Sequence, residues 1–242
     1  MGDQSVRLCA VIPAYNEEAH IAPVVQGVRQ RLADVVVVDD GSKDDTVECA
    51  EHAGAYVIRH AQNKGKGGAL QTGFDYAVAH GYDAAIALDA DGQHDPAEVP
   101  RFVEALRAGG ADIVLGSRMA HPEGMPWLRH WTNRTTSVIL SRIAHQDILD
   151  SQSGYKAIST EVLRHVRPTR EGFDGESEFL VIASRLGYRI AHVPIRTIYG
   201  DETSSINPAW DTWRFVRLCL CFILKLGSAA KPPRSTAAGD RP

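Results

Sequence analysis

An α/β fold with a doubly wound, mainly parallel sheet flanked by helices is predicted by three observations. Short β-branched runs alternate with helix-length segments through residues 8–115. The runs are continuously apolar rather than alternating, as in strands covered on both faces. Acidic and polar residues follow the strand ends, where open sheets of this kind bind their ligands.

The first strand, Leu8-Cys9-Ala10-Val11-Ile12, stops at Pro13, which cannot donate to a ladder. A helix over 24–32 leads to Val35-Val36-Val37-Val38, and one over 46–53 to Ala55-Tyr56-Val57-Ile58. A helix over 69–80 precedes the strand 84–88, and another over 99–108 precedes Ile113-Val114-Leu115. The second half reads as a helix over 127–144, a loop and short strand over 150–158, a helix over 177–186 and a strand over 189–193. These complete the sheet and build a second wall of a cleft. Residues 1–206 form one domain on this reading. A last helix within 207–228 carries Trp210, Trp213 and Phe215 with Arg214, Arg217 and Lys225, and 229–242 is a small-residue tail of disordered composition. An apolar helix with indoles and cations suits either the interface of an anionic membrane or a packed position on the domain or a partner. The oligomeric state is not legible.

With 242 residues, 44% of them hydrophobic, the chain has ample material for a packed core. A net charge of -4 argues against a general nucleic-acid binder. The four cysteines Cys9, Cys49, Cys219 and Cys221 lack zinc or redox spacing, and reduced core thiols in a reducing, cytoplasmic compartment are expected. No signal peptide is expected at Met1–Arg7, and no window reaches the roughly 20 apolar residues that span a bilayer.

The most informative stretch is Ile86-Ala87-Leu88-Asp89-Ala90-Asp91-Gly92-Gln93-His94. Side chains on a strand repeat every second residue, so Asp89, Asp91 and Gln93 lean to one side where the strand ends. Two carboxylates and a neutral oxygen suit a hard divalent cation that keeps positions open for phosphate. An acidic pair after a strand also occurs as a helix cap or a solvated turn. Three further loops bear on this choice. In Pro13-Ala14-Tyr15-Asn16-Glu17-Glu18 an aromatic ring can cover a nucleobase and a carboxylate can accept from base or ribose, or Asn16 caps a helix. Asp39-Asp40-Gly41-Ser42 follows the four valines, and the alternative role of Ser42 or Asp44 is to cap the second helix. Asn63-Lys64-Gly65-Lys66-Gly67 places cations and flexible backbone before a helix, which suits phosphate.

These motifs, with Gly116-Ser117-Arg118, Asp150-Ser151-Gln152-Ser153-Gly154-Tyr155-Lys156 and Gly187-Tyr188-Arg189-Ile190 before Val193-Pro194-Ile195, span residues 8–206. As a set the sequence resembles the family 2 glycosyltransferases with a GT-A fold, most closely the polyprenyl-phosphate (dolichol-phosphate mannose synthase-like) branch. The resemblance implies a nucleotide-diphosphate sugar held through Pro13, Tyr15, Glu17, Asp39, Asp40, Lys64, Lys66, Asp89, Ala90 and Asp91, with Mg²⁺ or Mn²⁺ on Asp89, Asp91 and Gln93. Asp91, Arg118 and Glu178 are its implied catalytic residues: Arg118 as an added cation or, alternatively, a surface ion-pair partner, and Glu178 as the acceptor-side carboxylate or a helix N-terminal acid. Arg129, Asn133, Ser153, Arg196 and Ser205 are implied on the acceptor side; Arg129 and Asn133 also read as solvated helix positions. The branch carries an arginine a few residues after its Val-Pro-Ile strand, and here that place falls near Gly200.

The implied reaction is inverting hexose transfer from a nucleotide diphosphate, of the GDP-mannose or UDP-glucose type, to a polyprenyl phosphate at the cytoplasmic membrane face. The same donor chemistry onto a hydroxyl is the alternative, and a non-catalytic nucleotide-sugar binder is a third reading. A nucleotidyltransferase would carry a glycine-rich, arginine-bearing loop where Pro13-Ala14-Tyr15-Asn16-Glu17 stands.

Overall fold

The computed structural model of the chain describes residues 6–120, 127–168 and 173–196, without the side chains of residues 120, 127–129, 173 and 174. The proposed boundary at 206, the helix within 207–228 and the tail lie outside the described residues.

Seven strands form one sheet: β1 (Leu8–Ala14), β2 (Asp34–Asp39), β3 (Tyr56–Arg59), β4 (Ala84–Ala87), β5 (Ile113–Ser117), β6 (Lys156–Ser159) and β7 (Ile190–Pro194). Their spatial order is β3-β2-β1-β4-β6-β5-β7. The pairs β1–β2, β1–β4, β2–β3 and β5–β7 are parallel. The exception is β6, which runs antiparallel between β4 and β5, so the sheet is mixed and β5 does not lie beside β4. Its direction was not foreseen, because four residues carry no directional signal.

Among the described residues seven α-helices cover the sheet: α1 (Ile21–Arg29), α2 (Thr46–His52), α3 (Gly65–Ala79), α4 (Val99–Arg107), α5 (Trp127–Ala144), α6 (Thr160–His165) and α7 (Phe173–Arg185). The two-residue period of the strands sorts the core into two layers. Cys9, Val11, Ala85, Ala87, Leu115 and Ile158 pack with α3, α5, α6 and α7. Ala10, Ile12, Val35, Val37, Ile86 and Ala157 face α1, α2 and α4. Burial on both faces explains why these strands read as unbroken apolar runs.

Two details position the site. A Cβ on Gly73 would overlap Val11 Cγ1, so α3 lies directly on β1 and its amino end is held at the carboxyl end of the sheet. The antiparallel β6 places Lys156 opposite Ala87, which puts its side chain on the α3 and α7 face. Helix α6, absent from the sequence reading, starts at a legible signal: Ser159 Oγ accepts from the Val162 amide at 3.4 Å. Helix α7 starts at Phe173, four residues earlier than expected.

Candidate active site

The carboxyl ends of β1, β2 and β4 bring the predicted loops together. The loop after β1 is tied to the segment after β2 by five long-range bonds: Asn16 N–H donates to Ser42 Oγ (2.9 Å), Glu17 N–H to Thr46 Oγ1 (2.8 Å), Glu18 N–H to Asp44 Oδ2 (3.2 Å), Lys43 N–H to Asn16 Oδ1 (2.9 Å) and Asp45 N–H to Glu18 Oε2 (3.1 Å). Asn16 has φ 55°. It therefore stitches two loops in a left-handed conformation that asparagine tolerates, rather than capping α1. Ser42 likewise accepts from Asn16 instead of capping α2. This leaves Tyr15 exposed beside the two loops, while Pro13 is buried in β1. The Glu17 carboxylate lies 3.0 Å from His20 Nδ1.

Asp39 and Asp40 lean to opposite faces, and the structure gives them different partners. Asp39 accepts from the Ser42 amide (3.2 Å) and lies 3.4 Å from Arg59 Nε. Asp40 Oδ1 accepts from the Lys64 amide at 2.8 Å and meets His60 Nδ1 at 2.7 Å; His60 Nε2 reaches Thr72 Oγ1 on α3 at 2.9 Å. Asp40 thereby fastens the Asn63–Gly67 turn. Lys64 itself is exposed.

That turn delivers Lys66 to Asp89, with Nζ 2.7 Å from Oδ1. Asp89 continues the parity of Ala85 and Ala87, toward α3. Burial works against ionising it, but Lys66 foremost, with Lys156 behind it, holds its carboxyl well below the usual range. Burial likewise works against the charged form of Lys66, and Asp89 followed by Glu176 outweighs it, so the ammonium binds its proton more tightly than usual. Two residues on, Asp91 Oδ1 accepts from the Gln93 amide at 2.9 Å, a turn closed around Gly92 at φ 76°. Ala90 between them is buried.

A second charged pair stands beside the first. Lys156 Nζ lies 2.8 Å from Glu176 Oε2, both mostly buried. Burial opposes ionisation of Glu176, and Lys156 and then Lys66 more than offset it, so this carboxyl too is held below its ordinary range. Lys66 and Lys156 face the three carboxylates of Asp89, Asp91 and Glu176 across this region.

Beneath Asp89 the floor is aromatic. The Asp89 amide donates to His94 Nδ1 at 3.2 Å, which fixes that nitrogen as an acceptor and puts the ring proton on Nε2. Burial lowers His94 to about 4, against the opposing pull of Asp89, so the ring is neutral at physiological pH. It stacks on Tyr155 at 5.1 Å, and Tyr155 on Phe102 at 4.3 Å.

Gly154 closes the cradle. A Cβ there would overlap Asp89 Oδ2 and stand 2.8 Å from Oδ1. The donor set fits a divalent cation: two carboxylates and an amide oxygen are hard ligands of the kind Mg²⁺ and Mn²⁺ take, and the space against Asp89 is kept by a missing side chain. Gly154→Ala should therefore keep the fold, since the residue does not need a left-handed backbone, while pushing the Asp89 carboxylate aside. We expect Mn²⁺ affinity and turnover to fall about ten-fold or more, a cost of about 1.4 kcal/mol, with an unchanged circular dichroism spectrum.

The other expected residues separate. Arg118 corrects one alternative, since it is not a surface ion-pair partner. It is buried in a two-pronged pair with Asp150, Nε–Oδ2 and Nη2–Oδ1 both 2.8 Å, and its amide donates to the same carboxylate at 3.2 Å. Asn133 is also a correction, being fully buried on α5 rather than solvated. Ser153 is buried, with its hydroxyl 3.5 Å from the Tyr155 carbonyl. Glu178 is buried on α7, and Arg196 is exposed just after β7. The side chain of Arg129, and Ser205 altogether, lie outside the described residues. Sequence reasoning missed Lys156, Glu176, His94, Gly154, His60 and Asp150. For Glu176 a signal existed: it and Glu178 are about 200° apart on a helix, so only one of them can face the sheet carboxylates.

A mixed seven-stranded sheet with an acidic pair ending a central strand, lysines facing it and laced loops above is the layout of a GT-A glycosyltransferase. The chain belongs to the glycosyl transferase family 2, whose model matches residues 9–167, and it is an enzyme of that class. It is 34% identical over 226 residues to the UDP-N-acetylglucosamine–dolichyl-phosphate N-acetylglucosaminyltransferase of Methanococcus voltae, covering 83% of this chain and 88% of that protein. To the undecaprenyl-phosphate mannosyltransferase of Micrococcus luteus it is 32% identical over 203 residues, covering 78% and 83%. The structure of glucosyl-3-phosphoglycerate synthase from Mycobacterium tuberculosis with Mg²⁺ and UDP superposes with a TM-score of 0.68 at 25% identity, over 91% of this chain and 79% of that one.

Proposed function

We propose that the enzyme transfers a hexose, with inversion, from a nucleotide-diphosphate sugar to a polyprenyl phosphate. The observation that carries the donor half is the Asp89–Asp91 grip with Lys66 and Lys156 beside it. Asp89, Asp91 and Gln93 would hold Mg²⁺ or Mn²⁺, which when bound neutralises charge that develops on the leaving diphosphate. Tyr15 covers the base, Glu17 and Asp39 accept from base or ribose, and Asp40 holds the Lys64–Lys66 turn against the phosphates. The arrangement is assigned to the donor because these residues end adjacent strands, at the edge where open α/β sheets bind nucleotides. Arg118 has a positioning part here: with Asp150 it anchors the loop that carries Gly154 to Asp89.

The acceptor half follows from proton chemistry. A hydroxyl needs a base, and a useful base has a proton affinity near that of the medium. Asp89 and Glu176 are instead held ionised by lysines, which makes both poor proton acceptors. A lipid phosphate arrives already ionised and needs no base. The two relatives named for dolichyl and undecaprenyl phosphate support the same choice. A cavity of about 260 Å³ beside Lys156 and Glu176, lined by Leu70, Phe74, Ile158, Leu163 and Phe179, offers apolar surroundings next to charge, as a prenyl phosphate requires. Arg129, Asn133, Ser153, Arg196 and Ser205 are the further acceptor-side candidates. No helix among the described residues is long and apolar enough to cross a membrane. Contact with a lipid acceptor is assigned to the 210–226 segment, on its indoles and cations alone.

The test is the chemistry of the product. Labelled sugar from GDP-mannose or UDP-glucose, incubated with undecaprenyl phosphate, should enter an organic-extractable product that mild acid cleaves. A glycoside stable to mild acid would point to a hydroxyl acceptor, with Glu178 as the base.

A further inference from the structure

In this structure a cation already stands on the carboxylate assigned to the metal. Lys66 Nζ is 2.7 Å from Asp89 Oδ1, and it is the only lysine or arginine among the described residues that makes an ion pair with that carboxylate. Its side chain is 42% exposed, so Lys66 reaches Asp89 from the mouth of the site. It rides on the first turn of α3, whose position is fixed independently by the Asp40 bond to the Lys64 amide and by the Gly73 contact with Val11. The backbone is therefore set while the side chain is not. Glu176, paired with Lys156, is close enough to favour the Lys66 charge as well, so the ammonium keeps an anionic neighbour when it leaves Asp89.

We propose that Lys66 is a resident counter-ion that competes with the divalent metal for Asp89 and yields the carboxylate only when metal and nucleotide arrive together. This rests on the metal assignment above. Like charges at a shared carboxylate repel, so a metal binding alone must displace Lys66 and leave its ammonium facing another cation. A diphosphate removes that penalty by offering the released ammonium negative charge of its own. Metal and nucleotide affinities are then coupled, and coupling is reciprocal: each tightens the other by the same factor. The metal-free enzyme meanwhile keeps Asp89 neutralised, so the site does not hold stray divalent cations without a donor.

The experiment titrates Mn²⁺ into the full chain, reading free Mn²⁺ by its electron paramagnetic resonance signal, alone and with UDP or GDP, for the wild type and for Lys66→Met. In the wild type, nucleotide should tighten Mn²⁺ binding about five-fold or more. In Lys66→Met, Mn²⁺ alone should bind several-fold more tightly than in the wild type, and the nucleotide should tighten it by a smaller factor than in the wild type, because only the direct contact between metal and diphosphate still couples them. Lys66→Arg, which keeps the charge, should restore weak binding of Mn²⁺ alone, and thermal melts confirm that each variant is folded. If Lys66→Met binds Mn²⁺ alone as weakly as the wild type or more weakly, the competition is refuted while the metal site stands. Failure of the wild type to bind Mn²⁺ even with nucleotide overturns the metal assignment and this inference with it.

Discussion

Asp91→Ala should all but eliminate sugar transfer while the protein stays folded. Asp91 sits past the end of β4, half-buried, in a turn whose backbone is set by Gly92 and by the Gln93 amide. It is only half-buried, so the loss of stability should stay within about 1 kcal/mol. The effect on turnover is far larger, because a cation at the leaving diphosphate acts on charge that grows in the transition state. We expect a loss on the order of 10³-fold in kcat/KM, equivalent to about 4 kcal/mol, measured by radiometric transfer assay. Asp91→Asn should fall between, since an amide keeps one oxygen ligand but loses the charge. A variant retaining more than a tenth of wild-type turnover would show that Asp91 does not hold the metal.

Asp150→Ala should be the most destabilising single change at the site. It takes from the buried Arg118 both guanidinium bonds to Asp150 and the bond from its amide. Removing one partner of a buried pair typically costs about 3–5 kcal/mol, because the other charge is left desolvated. Urea denaturation should show that loss in the midpoint with little change in slope. Activity should fall in the fraction that remains folded, since the pair connects the turn after β5 to the loop that presses Gly154 on Asp89. The double variant Arg118→Met/Asp150→Leu should recover much of the stability, as two apolar groups leave no charge stranded. A double variant no more stable than Asp150→Ala would mean that the pair has a further role the buried charge does not explain.

What the sequence made legible follows from the range of each signal. The apolar runs and their two-residue parity located β1, β2, β4 and β5 and placed Asp39, Asp40, Asp89 and Asp91 at strand ends, because burial on both faces writes itself into consecutive residues. The helices were legible for the same reason, apart from the short α6. The antiparallel β6 was not, since its direction depends on how the chain turns after α5. The charged pairs were the least accessible. Lys66 meets Asp89, Lys156 meets Glu176 and Arg118 meets Asp150 only through the folded sheet. Arg118 illustrates the limit: Gly116-Ser117-Arg118 marks a motif, but nothing in it says that the guanidinium is buried against Asp150. Glu176 illustrates the opposite case, where helical geometry applied to two neighbouring glutamates separates one from the other before any coordinates are seen.

The central claim is that Asp89 and Asp91 hold a metal that holds the donor's diphosphate, and calorimetric titration of UDP and GDP tests it most directly. With Mn²⁺ present the wild type should bind at least one of the two nucleotides, and EDTA should remove that binding, as should Asp91→Ala in the presence of Mn²⁺. Nucleotide binding and sugar transfer that persist unchanged in EDTA would contradict the account.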